Sequence, residues 1–231
     1  MRSERHALVY KYNALIKTFL EKYQISFKNK SVALAVSGGS DSVFLATMLL
    51  QAKKSLMDFS RVRIVHINHH WREESFEDEK FVKDLGAKYL IPVDVYHVYP
   101  EKTGESAELQ ARNQRKEIFK QYEVVLTGHT SDDLFETILW KTLQGKNPEN
   151  GILVSYENEV RPLLSFKKEE MQSVLNKIGV SWVEDRTNHD GVLLRSKMRK
   201  NLMKVLKEDF PFSQDTVVKK ALEGQIKSDT K

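Results

Sequence analysis

Short apolar runs rich in β-branched residues recur through the first half of the chain and predict β-strands. They are SVALAV at 31–36, RVRIVHIN at 61–68, PVDVYHV at 92–98 and EVVLTG at 123–128. Between them, the stretches 41–56, 75–90 and 106–122 space apolar residues three or four positions apart, as amphipathic helices do. Strands that alternate with helices form parallel sheets, because parallel neighbours need long crossover connections. We therefore predict an α/β fold, a doubly wound parallel sheet whose ligands bind at the carboxyl ends of its strands.

The pattern becomes mostly helical after residue 128. Apolar spacing predicts helices over 132–144, 167–179 and 194–208, which form a C-terminal helical extension. Gly145, Pro148 and Gly151 interrupt the segment 145–162, for which we predict a mobile loop. The expected organisation is a helical N-terminal segment at 1–30, the α/β core at 31–150, the helical extension at 151–211 and a flexible polar tail at 212–231.

Composition narrows the class of protein. A chain of 231 residues can bury one α/β core with a small appendage. No apolar run in the chain approaches the roughly 20 residues of a membrane span. The N-terminus is charged and has no apolar stretch of the secretory type, so we expect a cytoplasmic protein without membrane contact. Cysteine is absent, which excludes disulfides, thiolate zinc sites and catalytic cysteines.

Positive charge is concentrated in one segment. The formal net charge of the chain is +5. Against Glu208, the segment 194–208 carries Arg195, Lys197, Arg199, Lys200, Lys204 and Lys207. A solvated helix face explains such a run, and so does a polyanionic partner such as a nucleic acid. Both interpretations stay open at this point.

The sequence AVSGGSDSVF at 35–44 joins the first predicted strand to the helix that follows it. Its centre consists of Ser37, Gly38, Gly39, Ser40, Asp41 and Ser42. The first four residues offer backbone N–H groups and hydroxyls to one point at the positive end of a helix, which predicts a phosphate-binding loop. Asp41 and Ser42 either cap the helix or assist a metal. The stretch lacks the lysine of G-x-x-x-x-G-K-[ST], so it is not the usual nucleotide P-loop. A plain Ser/Gly turn is the alternative to a phosphate-binding loop.

An acidic cluster starts the helix predicted at 132–144. Asp132 and Glu136 are four residues apart, and Asp133 and Glu136 are three apart, so either pair shares a helix face. Carboxylates in this arrangement suit capture of an ammonium group, metal binding, or removal of a proton from an attacking amine. Acids at a helix N-terminus also stabilise the helix dipole, which is the alternative explanation for Asp132 and Asp133.

Several stretches of the chain resemble known enzymes. SGGSDS at 37–42 is similar to the pyrophosphatase-loop signature of the ATP pyrophosphatase superfamily. The motifs of bacterial isoleucine tRNA lysidine synthetases resemble, in the same order, HINHHWREES at 66–75, ELQARNQR at 108–115, GHTSDDLFET at 128–137, VRPLL at 160–164, WVEDRTN at 182–188 and RSKMR at 195–199. Asn68, Trp71 and Ser196 depart from that family's pattern.

The resemblance implies a specific reaction. Members of this family use ATP and Mg²⁺ to adenylate the C2 oxygen of the wobble cytidine in the CAU anticodon of an isoleucine tRNA, and pyrophosphate leaves. The ε-amine of free L-lysine then displaces AMP and forms lysidine. Many members continue into C-terminal domains that help to hold the tRNA.

The same resemblance implies roles for single residues. Asp133 and Glu136 would recognise lysine, and Asp41 and Asp132 would lie near Mg²⁺ or the nucleotide. Residues 37–42 would bind ATP together with His66 and His129, although a structural role is the alternative for His129. The predicted catalytic set is Asp41, Arg112, Asp132, Asp133 and Glu136.

Four arginines are predicted to contact the tRNA. Arg112 and Arg115 lie about one turn apart and would clamp the phosphate of the adenylated cytidine, and Arg195 and Arg199 would contact tRNA phosphates. A solvated helix face is the alternative for each pair. We do not interpret His66 and His69 as a metal pair, because no acidic partner lies in obvious register.

Two alternative functions are kept beside the lysidine synthetase. The first is another adenylating enzyme of the superfamily, either a tRNA thiolase or a synthetase that amidates a small molecule. The second is a nucleotide-binding module without catalysis, which would bind ATP and release no pyrophosphate.

Overall fold

The computed structural model describes residues 2–51, 58–71, 74–99, 107–149, 151–184 and 197–228. Its strands are β1 (Ser31–Ala35), β2 (Arg61–Asn68), β3 (Val93–His97), β4 (Val124–Leu126), β5 (Ser155–Tyr156) and β6 (Glu159–Val160). Its helices are α1 (Arg2–Lys22), α2 (Ser40–Gln51), α3 (Ser75–Tyr89), α4 (Ala107–Phe119), α5 (Ser131–Leu143), α6 (Lys168–Lys177), α7 (Met203–Asp209) and α8 (Ser213–Ser228). A π-helical turn, Met198–Leu202, leads directly into α7. Within these ranges, none of the helices is long and apolar enough to cross a membrane.

Within the described residues, the strands form one sheet in the order β3-β2-β1-β4-β6-β5. β1 is parallel to β2 and β4, β2 is parallel to β3, and β4 is parallel to β6. β5 runs antiparallel to β6 at the edge of the sheet. The predicted doubly wound α/β fold with a C-terminal helical part is therefore confirmed. From β1, the strands β2 and β3 extend the sheet to one side, and β4 and the later strands extend it to the other. Ligands bind where the strand order switches in this way in folds of this type.

Alternate residues of β1 supply the two faces of the sheet. Val32 and Leu34 are fully buried and join the core that α1, α2 and α6 cover. Ala33 lies on the other face, where Val65 and Val125 pack with apolar residues of α4. A strand buried on both faces has an almost continuous apolar sequence, which explains why β1 could be predicted from its pattern.

Two predictions for the second half of the chain are wrong. The segment 145–162 contributes β5 and β6 to the sheet and buries Val154 and Val160, so it is not a mobile loop throughout. The sheet therefore extends past the predicted boundary at 150. In place of the predicted flexible tail, α8 buries Val218 and Leu222 against α5 and α7.

The turns that carry the predicted site residues meet at one edge of the sheet. Because β1, β2, β3, β4 and β6 are parallel, the residues after each of these strands lie side by side. In sheet order, that edge begins with the residues after β3 and β2, continues with the loop at 37–42 after β1, and ends with the turns after β4 and β6.

Candidate active site

The phosphate loop, residues 37–42, is held in shape by its own serine hydroxyls. The Ser37 N–H donates to Ser42 Oγ at 3.2 Å, and Ser42 Oγ donates to the Gly39 carbonyl at 3.0 Å. The Gly39 N–H donates to Ser37 Oγ at 3.3 Å. Ser37 and Ser42 therefore support the loop, while the first N–H groups of α2, from Ser40 onward, have no acceptor within the helix. These N–H groups are suited to binding an anion.

Two glycines allow the loop to adopt this shape. Gly38 has a φ of +99°, which L side chains rarely adopt, and its carbonyl accepts the Val183 N–H at 2.9 Å. A Cβ on Gly128 would lie 2.9 Å from the backbone nitrogen of Ser42. Only glycine therefore lets the turn after β4 approach the start of α2 so closely.

Asp41 faces Lys168, a residue that belongs to none of the sequence motifs. The Lys168 Nζ lies 3.5 Å from Asp41 Oδ2, and Ser40 Oγ donates to Asp41 Oδ1 at 3.0 Å. Burial raises the pKa of the Asp41 carboxyl, while Lys168 and Ser40 oppose that shift. The negative charge of Asp133 raises this pKa further, so the two carboxyls are close enough to interact electrostatically.

The start of α5 is capped by its own residues. Thr130 Oγ1 accepts the Asp133 N–H at 3.3 Å, and Asp133 Oδ2 accepts the Thr130 N–H at 2.7 Å. This reciprocal capping box satisfies donors that a helix N-terminus otherwise leaves unpaired. Burial raises the pKa of Asp133, and the hydrogen bonds from Thr130 oppose the shift. The Thr130 N–H and the Thr130 hydroxyl both donate to Asp133 Oδ2, so Asp133 Oδ1 can accept from a ligand.

Asp132 is engaged by the helices that follow it. Its Oδ2 accepts the Lys168 backbone N–H at 2.9 Å, and its Oδ1 accepts from Lys207 Nζ at 2.9 Å. Burial alone would raise the pKa of Asp132, but these hydrogen bonds and the charge of Lys207 lower it. Asp132 thus ties α5 to α6 and α7. Its predicted metal role would require these contacts to open.

Glu136 lies one turn beyond Asp133 on α5 and is only 5% exposed. Its charge raises the pKa of Asp133, as the charge of a close carboxylate does. The two carboxyls therefore share one helix face, in the arrangement that their spacing predicts. Two adjacent carboxylates in a largely enclosed position are suited to binding an ammonium group.

Three arginines converge around Glu159. Arg161 Nη2 lies 2.8 Å from Glu159 Oε2, and the charges of Arg112 and Arg115 on α4 act on Arg161. Burial lowers the pKa of Arg115 and of Arg161, and repulsion from the neighbouring guanidinium groups adds to both shifts. The Nε atoms of Arg115 and Arg161 donate to no acceptor among the described residues. This surplus of positive charge and of free donors suits a phosphate group.

His129 lies beside the arginine cluster and is neutral at physiological pH. Burial and the charges of Arg161, Arg115 and Arg112 lower its pKa to about 3. Its Nδ1 lies 2.9 Å from Thr127 Oγ1. A neutral imidazole can exchange hydrogen bonds with a nucleotide, but His129 does not bind phosphate as a cation.

His66 is buried on β2 and presents a hydrogen-bond acceptor. Its Nδ1 lies 2.8 Å from the carbonyl of Val36, and a carbonyl only accepts, so we assign the proton to Nδ1. Burial lowers the pKa of His66, which keeps the ring neutral. The Nε2 atom has no partner in the part of the chain that the structure describes. An unpaired acceptor next to the phosphate loop fits the predicted contact with ATP.

A magnesium ion fits this site together with phosphate oxygens. In the described ranges, no group of three or more histidines or acidic residues is arranged to hold a metal ion alone. Mg²⁺ keeps several waters and is usually bound through one or two carboxylates plus substrate phosphates. Asp41 and its neighbour Asp133 provide that number of carboxylates beside the phosphate loop.

Sequence patterns assign no role to two cations of the site. Arg161 stands within the VRPLL stretch, whose resemblance to the family motif gives its position but no function. Lys168 shows no motif of its own and begins a helix that the sequence predicts only as an amphipathic element. Of the predicted tRNA contacts outside α4, Arg195 lies outside the described residues and Arg199 lies in the π-helical turn.

A protein-family model described as the PP-loop domain matches residues 7–206 of the chain. The matched range contains the phosphate loop, the acidic start of α5 and the three converging arginines. The match therefore includes the three groups of residues on which the site is built.

Curated relatives are similar over most of this chain. Over 206 residues the chain is 32% identical to a tRNA(Ile)-lysidine synthase of Petrotoga mobilis, which covers 84% of this chain and 65% of that protein. Over 191 residues it is 35% identical to the tRNA(Ile)-lysidine synthase of Thermus thermophilus, which covers 78% of this chain and 36% of that protein. The chain thus spans between about a third and two thirds of the length of these relatives.

A solved structure shares the fold. The U34-tRNA thiolase NcsA from Methanococcus maripaludis, determined with its 4Fe-4S cluster, superimposes with a TM-score of 0.72. The alignment covers 94% of this chain and 80% of that one, with 15% sequence identity. At this identity the likeness concerns the fold alone.

Proposed function

Because this chain belongs to the PP-loop domain family, we propose that it is an ATP-dependent tRNA(Ile)-lysidine synthase or the catalytic part of one. The reaction joins the ε-amine of free L-lysine to C2 of the wobble cytidine in the CAU anticodon of tRNA(Ile). ATP first adenylates the C2 oxygen with release of pyrophosphate, and lysine then displaces AMP. Since tRNA, ATP and free lysine are cytoplasmic substrates, we expect the enzyme to act in the cytoplasm.

The observation that carries this proposal is an anion site beside an ammonium site. The N–H groups at the start of α2 suit phosphate, and the carboxyls of Asp133 and Glu136 on the neighbouring turn suit a positively charged amine. An enzyme that activates an oxygen with ATP and then admits an amine needs both sites within reach of one acceptor. Similarity to curated tRNA(Ile)-lysidine synthases at 32–35% identity supports the same reaction.

In the adenylation step, the cytidine C2 oxygen attacks the α-phosphorus of ATP, and pyrophosphate leaves. The phosphate loop binds the pyrophosphate through the N–H groups of α2, and Lys168 adds the positive charge that the loop itself lacks. His66 and His129, both neutral, exchange hydrogen bonds with the nucleotide. A Mg²⁺ held by Asp41 and the phosphates would neutralise part of their negative charge.

In the ligation step, the lysine ε-nitrogen forms a bond to C2, the C2–O bond breaks, and AMP leaves with the oxygen. Asp133 and Glu136 bind the incoming ammonium group. One of these carboxylates takes the proton that the ammonium must lose before its nitrogen can attack. Because Glu136 is buried, its charge is screened less than that of a surface carboxylate.

The basic residues hold the tRNA in this scheme. Arg112 and Arg115 bind the phosphate of the adenylated cytidine, and their neighbour Arg161 shares the task. Arg195 and Arg199 contact phosphates elsewhere on the tRNA. Each contact of this kind releases counterions, so it makes the affinity for tRNA depend on salt.

Transfer of labelled lysine tests the proposed reaction. The protein is incubated with ATP, Mg²⁺, radiolabelled lysine and an unmodified tRNA(Ile) transcript with the CAU anticodon, and pyrophosphate is followed in parallel. We expect label in the tRNA and pyrophosphate release that depends on the tRNA. Pyrophosphate without label would indicate another acceptor, such as the substrate of a thiolase or an amidating synthetase. Absence of both signals would contradict catalysis by this chain.

Substitution of Arg195 and Arg199 by Ala tests the proposed tRNA contacts. We expect weaker tRNA binding and a salt dependence whose slope falls by roughly two, since each phosphate contact contributes about one. Substitution of Lys219 and Lys220 on α8 by Ala provides a control with the same loss of charge. An unchanged affinity and slope in the arginine variant would contradict the assignment.

A further inference from the structure

Three aromatic rings form a cluster at the carboxyl edge of the sheet, next to the candidate active site. The rings of His70 and Tyr99 are stacked with centroids 4.4 Å apart and an interplanar angle of 5°. His70 also contacts His97, with ring centroids 5.1 Å apart and His70 Nε2 2.9 Å from His97 Nδ1. Tyr99 is 61% exposed, so much of its side chain is accessible to a ligand.

A second ring pair lies in the same turn after β2. His69 and Trp71 stack with centroids 5.0 Å apart, and Trp71 is 53% exposed. We call His69, His70, Trp71, His97 and Tyr99 the aromatic shelf. Large exposed aromatic rings cost hydration energy, so several of them in parallel stacks at one edge indicate a binding surface.

The backbone of the shelf is strained at His70. His70 has a φ of +51°, an uncommon conformation for a residue with a side chain. Its N–H donates to Asn68 Oδ1 at 3.0 Å, and Asn68 Nδ2 donates to Glu79 at 3.1 Å. An aspartate at position 68 could not make the second bond. Asn68 and Trp71, two of the departures from the family pattern, therefore both serve the shelf.

A groove beside the shelf offers hydrogen-bonding groups. It has a volume of about 610 Å³ and runs between the end of β3 and α4. Asn113 and Gln114 line it next to Tyr99, and Gln114 Oε1 accepts no hydrogen bond from the residues that the structure describes. Amide side chains beside stacked rings can pair with the polar edge of a nucleobase.

The shelf lies within reach of the phosphate loop. It follows β2 and β3, whereas the loop follows β1, so the two are separated by one to two strand spacings, or about 5–10 Å. That distance is roughly the length of two or three stacked nucleotides at about 3.4 Å each. A base in the active site would therefore place its neighbours in the strand near the shelf.

We propose that the aromatic shelf binds unpaired nucleobases of an RNA strand, which stack on Tyr99 and Trp71 while the adjacent nucleotide occupies the active site. The choice of RNA rests on the proposed function, in which the reacting cytidine lies in the anticodon loop. Bases in such loops are unstacked easily, and stacking on aromatic side chains is the usual way in which proteins hold them.

Leucine substitutions test the shelf. Tyr99→Leu and Trp71→Leu keep apolar bulk and remove the aromatic face, and Tyr99→Phe keeps the face. Tyr156→Leu is a matched control, because Tyr156 is a 49% exposed tyrosine on the edge strand β5. The probe is a labelled single-stranded RNA with the anticodon-loop sequence, whose dissociation constant is measured by fluorescence anisotropy without ATP or lysine. We expect the Tyr99→Leu, Trp71→Leu double variant to bind on the order of tenfold to 100-fold more weakly.

A spectroscopic measurement serves as a second test that needs no unstable variant. Bases stacked on Trp71 would quench its fluorescence, so the RNA should quench the unsubstituted protein. Trp71→Phe should remove most of that quenching while it leaves the affinity within a few fold, because phenylalanine still offers a face. Quenching that survives Trp71→Phe would contradict a role for Trp71 in the shelf.

The outcomes separate this proposal from the proposed reaction. Unchanged RNA affinity in the double variant, or a higher KM for ATP with unchanged RNA binding, would overturn the shelf. The second of these results would assign the rings to the adenine of ATP. RNA binding that requires the shelf in a protein without lysine transfer would support the shelf and contradict only the reaction. Lysine transfer with an unchanged KM for tRNA in the double variant would contradict only the shelf.

Discussion

Two strand-to-helix turns lie side by side at the edge of the sheet, and they are built in opposite ways. The turn from β1 to α2 consists of glycine and serine, so its exposed chemistry is that of backbone N–H groups. The turn from β4 to α5 also begins a helix, but Thr130 and Asp133 satisfy its first donors. The first helix start is left open to an anion, whereas the second is closed to anions and presents carboxylates.

This difference shows how one fold can hold groups of opposite charge next to each other. Both helices have a positive N-terminal end, which would attract anions equally if the sequences were alike. The capping box removes that property from α5, and Asp133 and Glu136 reverse the sign of the charge. Gly128 brings the two turns into contact, so the proposed sites for ATP and for an amine lie side by side.

The largest effect is expected for a change that closes the open turn. Gly38→Ala forces a side chain into a φ of +99°, although its Cβ would meet side chains alone, Val183 at 3.4 Å and Phe81 at 3.9 Å. We expect tRNA-dependent pyrophosphate release to fall on the order of 100-fold, because the N–H groups of the loop would no longer point toward the phosphate. Gly179→Ala is the matched control, since Gly179 has a φ of +65° and open space around it. It should lose a similar free energy of unfolding, about 1–2 kcal/mol, and retain pyrophosphate release.

The next effect concerns the carboxylates of the closed turn. Glu136→Gln keeps the shape of a buried side chain and removes its charge. We expect the KM for lysine to rise by roughly tenfold to 100-fold, the usual value of a hydrogen bond to a charged group. Pyrophosphate release without lysine should change little. Glu170→Gln, on α6, is the control, because it removes a carboxylate charge elsewhere and leaves an amide oxygen that can still accept from the Tyr12 hydroxyl. Equal loss in both assays for Glu136→Gln would contradict its role in lysine binding.

The pH dependence of the reaction rate tests the role of Lys168, the cation that contacts both turns. Lys168 opposes the rise in the pKa of Asp41 that burial causes, so Lys168→Gln should raise this pKa further. Asp41 would then be protonated at higher pH, and the acid limb of the pH–rate profile would move to higher pH. Lys167→Gln is the control, because Lys167 pairs with Asp215 at 2.7 Å. An acid limb that stays in place would show that Lys168 does not act on Asp41.

The smallest effect concerns the support of the closed turn by α7. Lys207→Met removes the ion pair with Asp132, and we expect the free energy of unfolding to fall by less than about 1 kcal/mol at pH 7, because the pair is partly exposed. The lowered pKa of Asp132 contributes stability above the unfolded value of 3.8, and this contribution is lost as pH falls through the lower folded value. The difference between Lys207→Met and the unsubstituted protein should therefore vanish in strong acid.

Urea unfolding at pH 7 and in strong acid measures this difference. Lys204→Met is the control, since Lys204 pairs with Glu208 on the same exposed face of α7 at 3.9 Å. A difference in stability that persists at both pH values would indicate lost packing of the Lys207 stem and not a lost ion pair.

The sequence predicted the elements whose signal is local. β2 occupies 61–68 as expected, and the acidic helix begins at Ser131, one residue before the predicted start. The phosphate loop and the acidic cluster are contiguous motifs, so they could also be located from sequence. Each lies directly after a strand, where the parallel arrangement brings such turns together.

The features that the sequence did not predict depend on distant contacts. β6 has only two residues and is defined by its pairing with β4, so no alternation of apolar and polar residues announces it. Arg161 reaches the site because it follows β6. In α8, Val218 and Leu222 are buried by contacts with distant helices, whereas the polar composition of 212–231 predicted a flexible tail.

The central position of β1 matters while the chain is being synthesised. Its second neighbour, β4, comes late, since Val32 pairs with Val124, which is 92 positions further along the chain. At about 5–20 residues per second, a ribosome needs on the order of 5–20 s to deliver that neighbour. During this interval one edge of an apolar strand is unpaired, and such edges recruit strands from other chains. We therefore expect the yield of this protein in a cell to depend on chaperones that cover the nascent strand.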